Sequence, residues 1–372
     1  MRPVTPLIKW PGGKAREIKY IEHLIPSYNR YIEPFFGGGA MFFYLKPHQA
    51  IINDISSDLI DFYSLAKKQD KGLKSTLTAY YILFDNLLRA CDDNAHALLS
   101  IYDDVKRKNF KQQKLQTFIN ILFDKINKNV TAQLIPDVRA YKNRLYSNAF
   151  DKMRRTLKNE AEGPFSSEDL KENLITGLTS GTYMYFRDIY NDILLKRNTA
   201  ISKECRVANF YFIREYCYGS MFRYNSRGEF NIPYGGMSYN RKDFKAKIDD
   251  IFCSKTQELF SKTDIHCQDF DDFFKSVKIT EEDFMFLDPP YDTDFSDYEG
   301  KDFTKRDQQR LAFALKKTKA KFILIIKNTD FIYSLYEHDF NILCFDKTYT
   351  YNMRSRNERN TKHLIITNLP IE

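Results

Sequence analysis

The hydrophobic and polar positions of the chain form three regions with different patterns. In the first region, RYIEPFFGGGAMFFYL predicts a short strand, a glycine turn and an apolar helix, and AIINDIS predicts a second strand that ends in an acid. The middle region, from about residue 71 to 182, has few glycines and carries apolar residues at helical spacing, as in KLQTFINILFDKINKNV. This pattern predicts a mostly helical module.

Strand and helix patterns return from about residue 265. FMFLDPP and KFILIIKN predict strands on either side of the helix TKRDQQRLAFALKKT, which begins with a capping box formed by Thr304 and Asp307. NILCFDKTYTYN and HLIITN predict an antiparallel pair. We therefore expect an α/β domain that a long insertion interrupts.

The composition is that of a folded protein with excess positive charge. Of the 372 residues, 43% are hydrophobic and 15% aromatic, and the net charge of +8 favours a polyanionic partner such as nucleic acid. No apolar run has the length of a signal peptide core or a membrane span, so we expect a cytoplasmic protein. The six cysteines are scattered without a C-x-x-C pair, which predicts buried thiols and neither a metal site nor a disulfide framework.

A glycine turn and a strand-end acid together predict a nucleoside cofactor. Phe35, Gly37 and Gly39 lie between a strand and a helix, and Asp54 ends the next strand, where an acid can bind ribose hydroxyls. A dinucleotide motif would need a third glycine, and a P-loop would need Ser or Thr after Lys14, where alanine stands. S-adenosylmethionine has no phosphates and requires only the short turn.

Several motifs resemble one enzyme family. KWPGGK, EPFFGGGA, NDIS, YMYFRDIYN, FRYNSRGEFNIPYGG and LDPPY occur in the order seen in Dam-like, D12-class DNA adenine-N6 methyltransferases of the alpha group. The motifs cover both ends of the chain and the second half of its middle, and they leave roughly residues 75–180 unmatched.

The resemblance implies a class I, Rossmann-like sheet that uses S-adenosylmethionine and carries an inserted, mostly helical target-recognition domain. Residues 1–70 would bind the cofactor, 71–182 would form the helical insertion, 183–264 would recognise the target with a DNA-reading hairpin, and 265–372 would complete the catalytic domain. The implied cofactor contacts are Trp10, Lys14, Phe35, Gly37, Gly39, Asp54, Asp269 and Asp288.

LDPPY supplies the implied catalytic residues Asp288, Pro289, Pro290 and Tyr291. The adenine amine is a poor nucleophile because its lone pair is delocalised into the ring. The Asp288 carboxylate and the Pro289 carbonyl can each accept one N–H and so localise that lone pair, while the prolines hold the turn. Tyr291 can stack on an adenine that has been rotated out of double-stranded DNA.

Two basic segments are candidates for DNA contact. Arg223, Asn225 and Arg227 resemble the tip of the DNA-reading hairpin. A second loop, between two predicted strands, carries Arg354, Arg356 and Arg359. Gly219 stands four residues before Arg223, where the short Dam-like enzymes have asparagine, which predicts a target other than plain GATC.

Two alternatives share most of these residues. An N4-cytosine methyltransferase would have a similar site, although that class more often carries serine in place of the acid. A catalytically silent DNA-binding protein would keep the fold, but it would be expected to lose Asp288 or the glycine turn, and both are present. A cognate restriction endonuclease is a possible partner, and the sequence leaves the target and the oligomeric state open.

Overall fold

The computed structural model describes residues 5–15, 17–291, 303–348 and 360–370. The chain divides into two compact units, one drawn from Met1–Lys68 with Cys253–Glu372 and the other from Gln69–Phe252. Among the helices described in these ranges, none combines the length and the hydropathy needed to cross a bilayer.

The regular elements of the described residues are numbered in chain order. The strands are β1 Arg30–Glu33, β2 Ala50–Asn53, β3 Thr263–His266, β4 Asp283–Leu287, β5 Lys321–Lys327, β6 Asn341–Thr348 and β7 Asn360–Thr367. The helices are α1 Ala40–Leu45, α2 Ser57–Lys67, α3 Lys71–Asp93, α4 Ala95–Lys106, α5 Gln112–Asp124, α6 Lys128–Leu134, α7 Val138–Glu160, α8 Ser167–Leu194, α9 Lys203–Tyr216, α10 Phe244–Ile251, α11 Ser254–Ser261, α12 Phe270–Ser276, α13 Lys305–Lys317 and α14 Asp330–Tyr336. Short 3-10 turns lie at Ile18–Tyr20, Glu22–Leu24, Tyr218–Ser220 and Met237–Tyr239.

The strands described in the first unit form one sheet in the order β3-β2-β1-β4-β5-β7-β6. β1 pairs in parallel with β2 and β4, β2 with β3 and β4 with β5, whereas β7 lies antiparallel between β5 and β6. The predicted antiparallel pair near the carboxyl end is thereby confirmed, and so is the class I, Rossmann-like fold that the resemblance implied.

The parallel register brings the ends of three strands to one edge of the sheet. Tyr31 of β1 pairs with Ala50 of β2 on one side and with Phe284 of β4 on the other. Because these strands run in the same direction, Glu33, Asp54 and Asp288 all follow or end strands at that edge. In open parallel sheets this edge, at the carboxyl ends of the strands, is where ligands bind.

Continuous apolar runs produce the central strands because both faces of the parallel sheet are covered. Every residue of β4 is buried, and so are residues 322–326 of β5. On one face α13 packs Leu311 and Leu315 into the core. The predicted capping box of α13 is confirmed, since the Thr304 hydroxyl and the Asp307 carboxylate each accept the other's backbone N–H.

The elements described over residues 71–182 are helical, as predicted. α7 and α8 run antiparallel in close contact, because glycines on α8 leave room for the α7 backbone. A Cβ on Gly177 would lie 2.8 Å from Ala149 Cα, and one on Gly181 would lie 2.8 Å from the Arg144 carbonyl oxygen. α8 continues across the predicted boundary at residue 182, so the separate roles assigned to the two sides of that boundary stay predictions.

The expectation of buried thiols is only partly correct. Cys91 and Cys217 are buried, whereas Cys267 and Cys344 are exposed. Cys344 lies in β6, which forms one edge of the sheet, and Cys267 directly follows β3 at the other edge. The outermost strand of a sheet has a neighbouring strand on one side only, so its side chains have fewer residues around them and can remain exposed.

Candidate active site

The carboxyl ends of β1, β2 and β4 open into one cavity of about 310 Å³ in the first unit. A volume of this order suits a small-molecule ligand. The structure brings together at its wall all the residues predicted for cofactor binding and catalysis, namely Trp10, Lys14, Phe35, Gly37, Gly39, Asp54, Asp269, Asp288, Pro289, Pro290 and Tyr291.

The glycine turn between β1 and α1 requires glycine for two separate reasons. Gly37 and Gly39 both have positive φ, at 50° and 66°. A Cβ on Gly37 would also lie 2.8 Å from the Trp10 ring, and one on Gly39 would lie 2.5 Å from the Phe36 ring. The turn therefore keeps its backbone close to the cavity, with Trp10 packed against it.

Asp54 ties this turn to the end of β2. Its carboxylate accepts the Gly37 N–H at 2.8 Å and the Ser56 N–H at 2.9 Å. Burial raises the pKa of Asp54, and N–H donors from Ser56, Gly37 and Ile55 oppose that rise. The side chain is thus already oriented by the backbone, and its predicted bond to a ribose would be an additional contact.

Phe35, Phe270 and Phe303 form an aromatic wall of the cavity, and of these only Phe35 was predicted. The Phe35 ring centroid lies 5.5 Å from that of Phe270 and 5.8 Å from that of Phe303, the second pair being edge-to-face. Asp269 caps α12 beside this wall and accepts from Arg310 at 2.6 Å. Its predicted contact with the cofactor stays a prediction, because capping and ion pairing already account for the carboxylate.

At the end of β4, Asp288 is in direct contact with Lys14. The distance from Lys14 Nζ to Asp288 Oδ1 is 2.5 Å, and the two side chains are 2% and 20% exposed. The ammonium also donates to the Gly12 carbonyl at 3.0 Å and lies 5.3 Å from the Tyr291 ring centroid. Lys14 was predicted as a cofactor contact, and the structure places its ammonium on the carboxylate that was predicted to be catalytic.

The turn that follows Asp288 is held by two side chains that the sequence did not single out. Gln308 of α13 is fully buried, and its Nε2 donates to the Pro290 carbonyl at 2.9 Å. His363 of β7 lies within 3.2 Å of the Tyr291 hydroxyl. Neither residue belongs to a local motif, so no signal in the sequence could have identified it.

The predicted hairpin residues lie in the second unit. Tyr224 and Phe230 form an antiparallel bridge, and the Asn225 carboxamide closes the turn by accepting backbone N–H groups from Arg227 and Glu229 at 2.9 and 3.0 Å. The Arg223 guanidinium donates to Asn231 Oδ1 at 2.7 Å, and the Arg227 side chain is 76% exposed.

Asn225 therefore shapes the hairpin in this structure, whereas the predicted contacts Arg223 and Arg227 are both exposed on it. The Arg227 guanidinium also pairs with Glu229 at 3.2 Å. Arg354, Arg356 and Arg359 lie outside the described residues. The DNA contacts of all six residues stay predictions.

A sequence model of the D12 class N6 adenine-specific DNA methyltransferase family matches residues 10–135 and 120–351. The chain belongs to this family. The match extends across residues 75–180, which the motifs alone had left unmatched. The enzyme is therefore an adenine-specific DNA methyltransferase, and the N4-cytosine and catalytically silent alternatives are set aside.

The relatives of this D12-class methyltransferase include viral, bacterial and archaeal enzymes. Type II methyltransferase M.CviBI of Paramecium bursaria Chlorella virus NC1A is 26% identical over 98% of this chain and 100% of its own length. Type II methyltransferase M.MjaIII of Methanocaldococcus jannaschii is 28% identical over 91% of this chain and 90% of its own. A DNA adenine methylase of Vibrio cholerae is 21% identical over 96% and 94%.

The cavity is also lined by Glu33, which ends β1. It is 2% exposed, and the Tyr31 hydroxyl donates to Glu33 Oε2 at 2.8 Å. Burial raises the pKa of Glu33 well above its usual value, the Tyr31 bond opposes the rise, and the negative charges of Asp288 and Asp54 reinforce it. The strand-end position that identified Asp54 and Asp288 would also have identified Glu33.

The raised pKa of Glu33 predicts a pH-dependent difference in stability. The folded protein holds this proton more tightly than the unfolded chain, so the stability of the wild type should decrease as pH rises from about 4.3, the unfolded value, toward the folded pKa. Glu33→Gln cannot ionise and should not share this decrease.

Denaturant unfolding between about pH 4 and pH 8 measures both free energies. We expect the variant to gain stability relative to the wild type across this range. Glu281→Gln, an exposed acid, is the control and should show no such trend. A difference between Glu33→Gln and the wild type that stays constant with pH would contradict the prediction.

Proposed function

We propose that the cavity of the first unit binds S-adenosylmethionine and that the enzyme transfers its methyl group to the N6 amine of an adenine rotated out of double-stranded DNA. The observation that carries this proposal is that Asp288, the glycine turn and Asp54 line the same cavity. A nucleoside cofactor would lie between the turn and the Phe35 wall. Its sulfonium methyl would then face the end of β4, where the acid stands.

The residues at the end of β4 favour direct transfer without a covalent intermediate. One N–H of the adenine amine would donate to the Asp288 carboxylate and the other to the Pro289 carbonyl, which localises the lone pair on nitrogen. S-adenosylmethionine would supply the methyl group here, and the lone pair would form the new N–C bond as the S–C bond breaks and its electrons return to sulfur. The surplus proton leaves nitrogen toward Asp288 and then solvent.

Lys14 supports this role of Asp288. A carboxylate has acceptor sites for both the Lys14 ammonium and a substrate N–H. The positive charge beside it favours the ionised form, which is the stronger acceptor. Tyr291, close to Lys14, would stack on the adenine.

We also propose that the hairpin around Arg227 reads the target and that this target differs from plain GATC. Gly219 has φ of 63°, a conformation that asparagine also tolerates. The backbone at this position could therefore accommodate asparagine, but glycine has no side-chain carboxamide to contact a base. Losing one polar side chain next to the hairpin changes which base edges can be recognised.

Modification-sensitive sequencing of DNA from a methylation-free host that expresses the chain tests the function and the target together. We expect N6-methyladenine at one defined sequence. Transfer of label from methyl-labelled S-adenosylmethionine to DNA in vitro tests the cofactor. Modified cytosine would refute the reaction, and methylation of every GATC would refute the target prediction.

Asp54 should contribute to cofactor affinity. In Asp54→Ala the ribose acceptor is lost and the Gly37 N–H loses its partner, so the dissociation constant for S-adenosylmethionine should rise by about tenfold or more. Affinity for DNA should change little. Calorimetry of the folded variant measures the first effect, and Asp58→Ala, just beyond the site at the start of α2, is the control. Equal affinity in the two variants would leave Asp54 with a structural role only.

The names of two relatives given above, both type II methyltransferases, support a cognate restriction endonuclease as a partner. We expect that endonuclease to cut unmethylated DNA at the sequence found by the mapping experiment. Protection of DNA by prior methylation is the measurement that decides it.

A further inference from the structure

Two basic segments that are far apart in the sequence converge on one surface of the second unit. KRKNFKQQK, residues 106–114, has five basic and no acidic residues, and DKMRRTLKNE, residues 151–160, has four basic and two acidic residues. The first segment spans the α4–α5 connection, and the second is the last part of α7.

One aromatic stack and one ion pair hold the two segments together. The Phe110 ring stacks on Phe150 with centroids 4.8 Å apart and an interplanar angle of 26°. Lys106 Nζ lies 3.0 Å from Glu160 Oε2, which also accepts from the Tyr102 hydroxyl at 2.9 Å. Glu160, one of the two acids, is thereby neutralised at the edge of the surface.

The remaining cations point to solvent. We call the following exposed residues the basic surface: Arg107, Lys108, Lys111, Arg154, Arg155 and Lys158. In the part of the chain that the structure describes, none of the six forms an ion pair, whereas the neighbouring Lys114 pairs with Asp104 at 2.5 Å. Burial and then the nearby Arg155 lower the pKa of Lys152. The smaller of these two causes, the charge of Arg155, reflects how closely the cations of this surface stand.

The helix α8 relates this surface to the hairpin within the same unit. At one end of α8, the Asn173 amide donates to Thr156 Oγ1 at 2.9 Å, beneath the turn that carries Arg154 and Lys158. At the other end, Asn191 Oδ1 accepts from the Phe230 N–H of the hairpin at 2.8 Å. The two anchors are eighteen residues apart, which is about 27 Å and about five turns of α-helix, so both lie on one face of α8.

We propose that the basic surface binds the DNA phosphate backbone outside the target sequence that the hairpin contacts. The proposal rests on the hairpin reading the target, as inferred above. The spacing of about 27 Å between the two anchors on α8 equals the length of about eight base pairs at 3.4 Å per pair. Arginine and lysine at this distance contact phosphates without reading bases, so the surface adds affinity and leaves sequence preference unchanged.

The experiment compares two variants that lose the same charge. Arg154→Gln/Arg155→Gln/Lys158→Gln removes three cations from the basic surface. Lys71→Gln/Lys125→Gln/Lys128→Gln removes three exposed lysines elsewhere in the same unit. Circular dichroism verifies that both fold. DNA affinity is measured as a function of salt concentration on two duplexes, of about 12 and about 40 base pairs, each centred on the mapped target. Each lost phosphate contact reduces the slope of log K against log salt by about 0.9, so the slope counts the contacts.

On the long duplex the slope should decrease by about 2 to 3 for the basic-surface variant and remain that of the wild type for the control. On the short duplex all three proteins should bind alike, and the methylated sequence should be unchanged. An unchanged slope on the long duplex, as expected of a solvated face or a protein-binding face, overturns the proposal. An equal loss in the control or on the short duplex also overturns it. Failure of the proposed function differs from these outcomes, since the wild type would then not methylate the short duplex.

Discussion

Replacement of Asp288 by alanine should reduce the rate of methyl transfer by about 10³-fold or more while the dissociation constants for S-adenosylmethionine and DNA change by less than about threefold. The loss corresponds to about 4 kcal/mol of transition-state stabilisation. The substitution should affect the rate and not the binding of cofactor or DNA, because the hydrogen bond from the amine to the carboxylate strengthens only as the nitrogen becomes tetrahedral and positive. Single-turnover kinetics at saturating cofactor and DNA measure this step directly.

Alanine also leaves the Lys14 ammonium buried without its carboxylate, so Asp288→Asn is the necessary companion variant. Asparagine keeps the size of the side chain and one acceptor oxygen but lacks the charge that attracts both Lys14 and the developing positive nitrogen. We expect a loss of similar order. Thermal unfolding of both variants separates this effect from loss of fold. Turnover within about tenfold of the wild type in either folded variant would show that Asp288 is not the catalytic acceptor.

Lys14→Met should be the second most damaging change, with a reduction of about 10²-fold in the rate of methyl transfer, or about 2.7 kcal/mol. Methionine has a similar length and lacks the charge. Without the ammonium, Asp288 is more easily protonated and so loses the negative charge that stabilises the developing positive nitrogen. The acid limb of the rate profile should therefore move to higher pH, an effect that a purely structural role would not produce.

Lys14 can act on the cofactor, as the sequence predicts, or on Asp288, as the 2.5 Å contact indicates. If it acts on Asp288, the rate falls and the cofactor dissociation constant changes by less than about threefold. Lys19→Met, an exposed lysine, is the control and should match the wild type. A large loss of cofactor affinity with an unchanged pH profile would assign Lys14 to the cofactor.

The parts of this site that can be predicted from the sequence are those formed by residues close together in the sequence. The turn of Gly37 and Gly39 needs positive φ and a close approach of the backbone, and both requirements select glycine locally. Asp288 and Pro289 are recognisable because a strand end, an acid and a rigid turn are consecutive. The capping box of α13 is likewise local, since its two partners are three residues apart. Motif order along the chain then indicated the family.

The tertiary structure decided which of these local groups meet. Lys14 and Asp288 are separated by 274 positions, and Gln308 reaches the Pro290 carbonyl from α13, which carries none of the family motifs. The same holds for Phe110 and Phe150, whose stacking joins two basic segments. Such contacts depend on the parallel pairing of the strands and on the packing of α7 against α8. The hydrophobic pattern of one segment specifies which face it buries but not which other segment covers that face.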